Sequence, residues 1–450
     1  MLDQADGYFS VKKAETVCVK KQGFLQGAFI IALGSFSAKV VGAITRIPLS
    51  AFLGAEGVGL YQLVYPFYCL LLTLSSSGIP AGLSRMVAAE RARGEDGRAP
   101  FAAAFRLFFL LGLFGSFSMF FLRGAVSALQ GEDLRLCYAA LCPAVALVAG
   151  ISVFRGYFQG TCDMSPTALS EFCEQAVKGI FSVGLAFLLQ KNRLYAVTAV
   201  LFSVSLSEGA ALFLLWRRYR AERGRKPLYR GRTFTAKQVL AVTLPASLAA
   251  AVLPLSQFLD SAICLRLMKA YSEEAVALYG LYAGGAVTLA GLPVSLCYGF
   301  AVSIIPRFSK AGGERKRCLK ALAVTAAVAL PCAAGLFFFA RPLGAFFFRR
   351  LDGERLDVLE GLVKIMSFTA VTHAGAQTLA GCLIGRGKAL RAAGNMAAAV
   401  ALKTAAEVVL VSMENISVYG MAIAANVCYL AAFVLNLISN LKKKKPEKGA

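Results

Sequence analysis

Uninterrupted apolar runs of about 20 residues recur along this 450-residue chain, and that is the length at which a helix spans a hydrocarbon core. A helix on the surface of a soluble domain needs one apolar stripe, whereas a run apolar on every side belongs in lipid. No ten-residue alternating pattern repeats, so a strand-built barrel does not fit. The chain is 58% hydrophobic and 16% charged, which agrees with the runs.

The runs predict helices at 24–45, 58–84, 101–122, 134–154, 166–190 and 194–216, then 238–260, 275–305, 319–340, 361–384, 390–413 and 416–440. The expected fold class is therefore an all-α polytopic membrane protein of about 12 transmembrane helices. Phe346 to Phe348 read as a short interfacial piece. The first 22 residues are polar, hold Lys12, Lys13, Lys20 and Lys21, and read as a cytoplasmic tail without a cleavable leader.

Charge sets the expected orientation. With the N-terminus inside, about thirty-two Lys and Arg fall in cytoplasmic connections and about ten outside. Both termini are then cytoplasmic, with the tail 441–450 carrying four consecutive lysines at 442–445. Trp216, the lone tryptophan, sits at an expected interface. The basic stretch 217–237 is the natural linker between an N-terminal lobe, 23–216, and a C-terminal lobe, 238–440.

The formal charge of +23 raises nucleic acid as a partner. The basic residues lie between apolar runs, however, so anionic membrane lipids are the expected partner and nucleic acid is not. Twelve scattered cysteines without a CxxC pair predict packing rather than disulfides or a metal site. No cofactor is read. His373, the single histidine, cannot make a metal cluster and is expected in a hydrogen-bonded packing role.

The halves look duplicated. GVGLY at 57–61 has a counterpart in AVALY at 275–279, and Gly156, Gly160 and Lys178 match Gly381, Gly385 and Lys403 at one shift of 225. Tyr195 and Tyr419 follow at nearly that shift. Six helices per half make the repeats parallel.

Charges within spans each cost roughly 2.5–3.5 kcal/mol and so need a reason. Lys39 and Arg46 lie seven apart on the first helix, hence on one face. Glu171, Glu174 and Lys178 share a face of the fifth. Glu208, Asp260, Arg266, Glu407 and His373 complete the set. Neutralisation of Glu174 by Lys178 is one reading. The other makes Lys39, Arg46, Lys178 and Lys403 ligands of an anionic substrate such as a pyrophosphate. Glu171, Glu174 and Asp260 are then candidates for proton or sodium coupling. Pro254 and Pro293 bend spans and are candidate hinges.

The segment 46–88, RIPLSAFLGAEGVGLYQLVYPFYCLLLTLSSSGIPAGLSRMVA, resembles the opening of the stage V sporulation protein B and polysaccharide exporter group. RGYFQG at 155–160 and MSPTALSEFCEQAVK at 164–178 resemble its fourth-to-fifth helix segment, with PRFSKA at 306–311 a weaker landmark. That group belongs to the multidrug/oligosaccharidyl-lipid/polysaccharide flippase superfamily. The resemblance implies two pseudo-symmetric six-helix lobes around a central cavity that opens alternately to each side. It implies translocation of an undecaprenyl-type lipid-linked oligosaccharide, or of a peptidoglycan (spore-cortex) precursor, across a bacterial plasma membrane. Cell-wall synthesis enzymes are the implied protein partners. Lys39 and Arg46 stand where the precursor flippases carry two basic cavity residues, while Tyr61 and Gln62 stand where those flippases have an acidic one.

The alternative within the same fold is a multidrug or cation antiporter, which calls for an acidic cavity. A membrane glycosyltransferase is disfavoured, because the outer connections are short and offer no paired catalytic groups. The chain is thus expected to transport rather than catalyse.

Overall fold

The computed structural model describes residues 24–223, 235–304, 314–386 and 388–441, and these are helical throughout, apart from short turns. The first element, α1 (Phe24–Ser76), bends at Gly54, whose φ of 68° is a left-handed conformation that glycine adopts without steric cost. It is followed by α2 (Ile79–Ala92), α3 (Arg98–Gln130), α4 (Arg135–Gly160), α5 (Ser165–Leu189) and α6 (Arg193–Arg223). Next comes α7 (Ala236–Leu259), which runs through a π-helical turn at Asp260–Cys264 into α8 (Leu265–Met268). The helix α9 (Ala275–Tyr279) likewise passes through a π-helical turn, Gly280–Ala286, into α10 (Val287–Ile304). The chain continues with α11 (Glu314–Phe338), α12 (Ala340–Phe347), α13 (Gly353–Gly385), α14 (Ala389–Val411) and α15 (Tyr419–Leu441).

Every apolar run read from the sequence coincides with helix over most of its length, although 58–84 crosses the turn between α1 and α2 at Ser77–Gly78, and the expected piece at 346–348 meets the end of α12 at Phe347. Among the described residues, ten helical stretches are long and apolar enough to cross a membrane, one of them, Val40–Ala92, extending across the Gly54 bend and through α2. Helix α13 is not among the ten, since its middle carries Ser367, Thr369, Thr372, His373, Gln377 and Thr378. Large apolar side chains such as Phe114, Phe121 and Leu188 are over 70% exposed, as expected where the surroundings are lipid rather than water. The N-terminus of α13 is capped by Asp352, whose carboxylate accepts from the Arg355 amide at 2.8 Å and satisfies an otherwise orphaned donor.

The contacts divide the chain into two compact units. The first holds residues up to Leu53 together with Val64–Pro254, and the second holds Gly54–Leu63 with Leu255–Ala450. The division falls inside α7, not at the basic stretch 217–237, of which 224–234 lie outside the described residues. The reason is local. The Gly78 amide donates to Ser247 Oγ at 3.0 Å, which holds the first part of α7 to unit 1.

Within unit 1, α4 packs against α2, α3 and α6. A Cβ on Gly160 would lie 2.7 Å from the Ser84 carbonyl, and one on Gly156 3.1 Å from Leu83 Cβ. Two glycines four apart thus let α4 and α2 approach closely, the small-residue device of membrane interfaces.

Within unit 2, α13 occupies the corresponding place and packs against α10, α11 and α15. In both units the fourth long helix therefore contacts the third and the sixth, the internal repetition seen in the sequence. Asparagines stitch α15 to α13: Asn426 Nδ2 donates to the Ile365 carbonyl at 3.0 Å, Asn436 Nδ2 to Ala376 at 3.2 Å and Asn440 Nδ2 to Leu379 at 2.9 Å. Between apolar helices such bonds contribute about 1 kcal/mol. Replacing Asn436 by leucine is therefore expected to destabilise the purified protein by about that amount, measurable as a lowered midpoint of thermal unfolding in detergent.

The segment 54–63 joins unit 2 because the two repeat-related pentapeptides lie against each other. A Cβ on Gly59 would sit 2.0 Å from the Val276 carbonyl oxygen, and one on Gly280 2.3 Å from that of Ala55. Gln62 Nε2 donates to the Ala283 carbonyl at 3.3 Å, within the second π-helical turn. One expectation is corrected: Cys162 is disulfide-bonded, although ten other cysteines are free thiols. A single bridge leaves no paired spacing in a sequence, so pattern alone did not reveal it.

Candidate functional site

Each unit buries a cluster of charges among its apolar helices. In unit 1 the cluster is built on α5, where Ser170, Glu174 and Lys178 recur every four residues and so share one face. Arg155, near the end of α4, reaches that face with its guanidinium: NH2 lies 3.1 Å from Glu174 Oε2, and Nε donates to Ser170 Oγ at 3.0 Å. Gln175 Nε2 donates to the other Glu174 oxygen at 3.3 Å. Glu174 is thus neutralised by Arg155 rather than by Lys178. Glu208 of α6 is buried beside the same group and interacts with Glu174, Arg155 and Lys178. Tyr68 of α1, fully buried, lies within electrostatic range of Glu208 and Glu174.

The remaining residues singled out in this half lie on α1 and α5. Lys178 and Glu171 are half-buried on α5, and Arg46 is half-buried on α1. Lys39 stands two turns before Arg46 on α1, and its side chain lies outside the described residues. Small residues bring α1 to α5, since a Cβ on Gly34 would meet Ala168 Cβ at 2.6 Å and one on Gly179 would meet Thr45 Oγ1 at 2.7 Å.

In unit 2 the cluster centres on Lys403 of α14. Its ammonium bonds the Asp260 carboxylate, lies 3.2 Å from Glu407 Oε1 and donates to Ser256 Oγ at 3.2 Å. All three charged side chains are 7% exposed or less. Asp260 opens the π-helical turn at 260–264, where the wider winding displaces a side chain from the regular helical face. Glu407 stands one turn beyond Lys403. With all three ionised, two carboxylates against one ammonium leave a formal charge of −1 in a low-dielectric setting, and Asp260 Oδ1 accepts no hydrogen bond among the described residues. Cys264, Tyr279, Tyr282, Cys428 and Tyr429 lie within electrostatic range of the cluster.

The structure thus joins Lys403, expected as an anion ligand, to Asp260, expected in ion coupling, and commits its ammonium to carboxylates. It also brings in Arg155, which lies outside the expected set, and gives a place in the clusters to Glu208 and Glu407, which the sequence placed within spans without a role. For Glu407 the signal was present as an i,i+4 partner of Lys403. Arg155 opens the RGYFQG motif, yet its partner lies on another helix and no spacing reveals it. His373 stacks on Tyr429 and contacts Gln377, as a hydrogen-bonded interior histidine should.

The arrangement suits binding and charge compensation within a membrane, and the chain resembles known membrane transporters. The chain is 29% identical over 313 residues to stage V sporulation protein B of Bacillus subtilis (strain 168), covering 66% of this chain and 60% of that protein. It is 26% identical over 360 residues to the lipid II flippase MurJ of the same organism, covering 72% of this chain and 66% of that one. Among solved structures, an inward-facing multidrug resistance MATE family transporter of the MOP superfamily superposes with a TM-score of 0.72 at 14% identity, covering 88% of this chain and 97% of that one. Residues 24–311 match the model of the polysaccharide biosynthesis protein family, which spans more than half of the chain. The fold is that of the MOP-superfamily transporters, and the chain belongs to the polysaccharide biosynthesis protein family.

Proposed function

We propose that this protein is an alternating-access flippase that carries a lipid-linked oligosaccharide or peptidoglycan precursor from the cytoplasmic to the outer leaflet of a bacterial plasma membrane. The observation that carries the reading is the half-buried state of Arg46 and Lys178 on membrane-spanning helices. A cation in that position cannot face hydrocarbon, so its partly exposed side faces a polar interior. There it attracts an anionic headgroup such as a pyrophosphate. Lys39, on the same face of α1 as Arg46, is assigned the same role. The names of stage V sporulation protein B and of the lipid II flippase point in the same direction. The excess of Lys and Arg in alternate connections supports cytoplasmic termini.

Coupling is assigned to the cluster of Asp260, Lys403 and Glu407. One proton or sodium ion taken up there cancels its formal charge of −1, and a buried site of alternating charge gives the two states of a transport cycle different stabilities. Glu171 and Glu174 are a second candidate set in unit 1.

The test is translocation of a fluorescent undecaprenyl pyrophosphoryl saccharide in proteoliposomes. Alanine at Arg46 or Lys178 is expected to slow flipping by about tenfold or more while elution and thermal unfolding stay unchanged. Undiminished flipping by Lys39→Ala, Arg46→Ala and Lys178→Ala together would sink the assignment. Runs with a pH gradient, a sodium gradient and neither identify the coupling ion.

A further inference from the structure

Where α3 begins and α6 ends, unit 1 holds an open cleft of about 340 Å³. The sequence builds it from pairs four residues apart, which share a helix face: Phe101 and Phe105 on α3, Trp216 and Arg220 on α6. Tyr219 and Phe154 complete the lining, the latter from α4, on which both α3 and α6 pack. The walls are ring against ring. Phe101 stacks on Tyr219 with centroids 4.4 Å apart, and Phe154 meets Phe105 and Tyr219 edge-on at 5.8 and 5.5 Å. Phe101 and Phe154 are buried, whereas Trp216 and Arg220 are exposed.

Depth decides what meets the cleft. From Ala210 to Leu215 α6 is apolar, and it then reads WRRYR, the switch that marks where hydrocarbon gives way to headgroups. Phe213, one turn before Trp216 and over half exposed, faces the lipid side. A volume at the lower end for small-molecule sites takes a headgroup with its glycerol, not a whole lipid. Charge decides which headgroup. Arg220 is the one charged residue of the lining, and it has no carboxylate partner among the described residues. Glu222, the nearest acid along α6, lies 3.6 Å from Arg91 instead. Arg106, Arg217 and Arg218, next to the lining residues in the chain, add exposed positive charge. A guanidinium offers a fork of donors that fits a phosphate. The ammonium of a choline headgroup would need a carboxylate or a bare ring face. Arg220 already lies over the Trp216 ring, 5.3 Å from its centroid, and Tyr219 is covered by Phe101.

We propose that this cleft binds the phosphate and glycerol of an anionic phospholipid, with Arg220 on the phosphate and the aromatic rings against the glycerol and the first acyl carbons. The site lies wholly within unit 1 and stands independently of the flippase reading. It gives the anionic lipids expected from the charge pattern a defined seat.

Trp216 is the single tryptophan, so indole fluorescence reports this cleft alone. The full-length protein is reconstituted in vesicles of phosphatidylcholine with a minor share of phosphatidylglycerol, and only one of the two lipids carries brominated acyl chains. Bromine quenches an indole on contact. Per molecule, phosphatidylglycerol is expected to quench as a lipid bound about fivefold more tightly than phosphatidylcholine, the ratio that one basic residue at a membrane surface supplies. Arg220→Gln is expected to bring the two lipids level while thermal unfolding stays unchanged. Arg217→Gln, beside Trp216 in the chain but outside the lining, is expected to keep the preference. Equal quenching per molecule in the wild type, or a preference that survives Arg220→Gln, overturns the site. An equal loss in both variants also overturns it, leaving only diffuse attraction by surface charge. So does quenching by neither lipid, since Trp216 then lies away from the bilayer.

Discussion

Replacing Lys403 with methionine is expected to lower the stability of the purified protein by about 3–5 kcal/mol, the usual consequence of removing one partner from a buried ion pair. Methionine fills the space of the aliphatic stem, so packing is largely kept and the loss is electrostatic. Asp260 and Glu407, each almost fully buried, are left facing one another without the ammonium that lies against both. Ser256 loses the donor that reaches its hydroxyl at 3.2 Å. Adding Asp260→Asn and Glu407→Gln removes the uncompensated charge and is expected to restore most of the stability. The triple variant then lacks ionisable groups in the cluster, so its flipping should no longer respond to a pH or sodium gradient. Thermal unfolding in detergent reads the first effect, and proteoliposome flux the second. If Lys403→Met unfolds at the wild-type temperature, or the triple variant is no better than the single one, the electrostatic account of this cluster is wrong.

The second large effect lies where segment 54–63 meets α9. Alanine at Gly59 puts a Cβ 2.0 Å from the Val276 carbonyl oxygen, and alanine at Gly280 puts one 2.3 Å from that of Ala55. Backbone oxygens cannot move aside as a side-chain tip can, so the helices must separate. Overpacking of this kind costs about 1–3 kcal/mol, and the upper end is expected here because no rotamer relieves it. Separation also removes the hydrogen bond from Gln62 to Ala283. Gly335 is the matched control, since a Cβ there has open space around it. Within α11, Gly335→Ala is expected to stabilise by up to about 1 kcal/mol through helix propensity alone. Comparing the three alanine variants by thermal unfolding and by flipping rate separates the contact from a general intolerance of glycine replacement. Wild-type behaviour in both Gly59→Ala and Gly280→Ala would rule out close backbone approach as the reason for these glycines.

The membrane class and the helix positions were legible because a span must be apolar along its own length, a property each segment carries by itself. The run at 361–384 was readable although it is more polar than the others, and it falls within α13 (Gly353–Gly385). The duplication was readable too, because Gly156, Gly160 and Lys178 keep their spacing to Gly381, Gly385 and Lys403. Burial of charge was readable as a set of residues, but its pairing was not. Glu174 has Lys178 one turn away on its own helix, yet it bonds Arg155, nineteen positions earlier on α4. Local spacing favours neighbours on one helix, and a long guanidinium from an adjacent helix competes successfully when packing brings it near.

Sequence alone determined that this chain is helical, spans a membrane many times and carries cations inside the bilayer, because the cost of exposing backbone and charge to hydrocarbon is paid locally, segment by segment. The tertiary structure decided which charges neutralise which, and that Lys403 faces carboxylates. It also placed Gly59 against Val276 and His373 beneath Tyr429. These are relations between helices far apart in the chain. They depend on rotation and close approach, and no periodicity within a single segment encodes either.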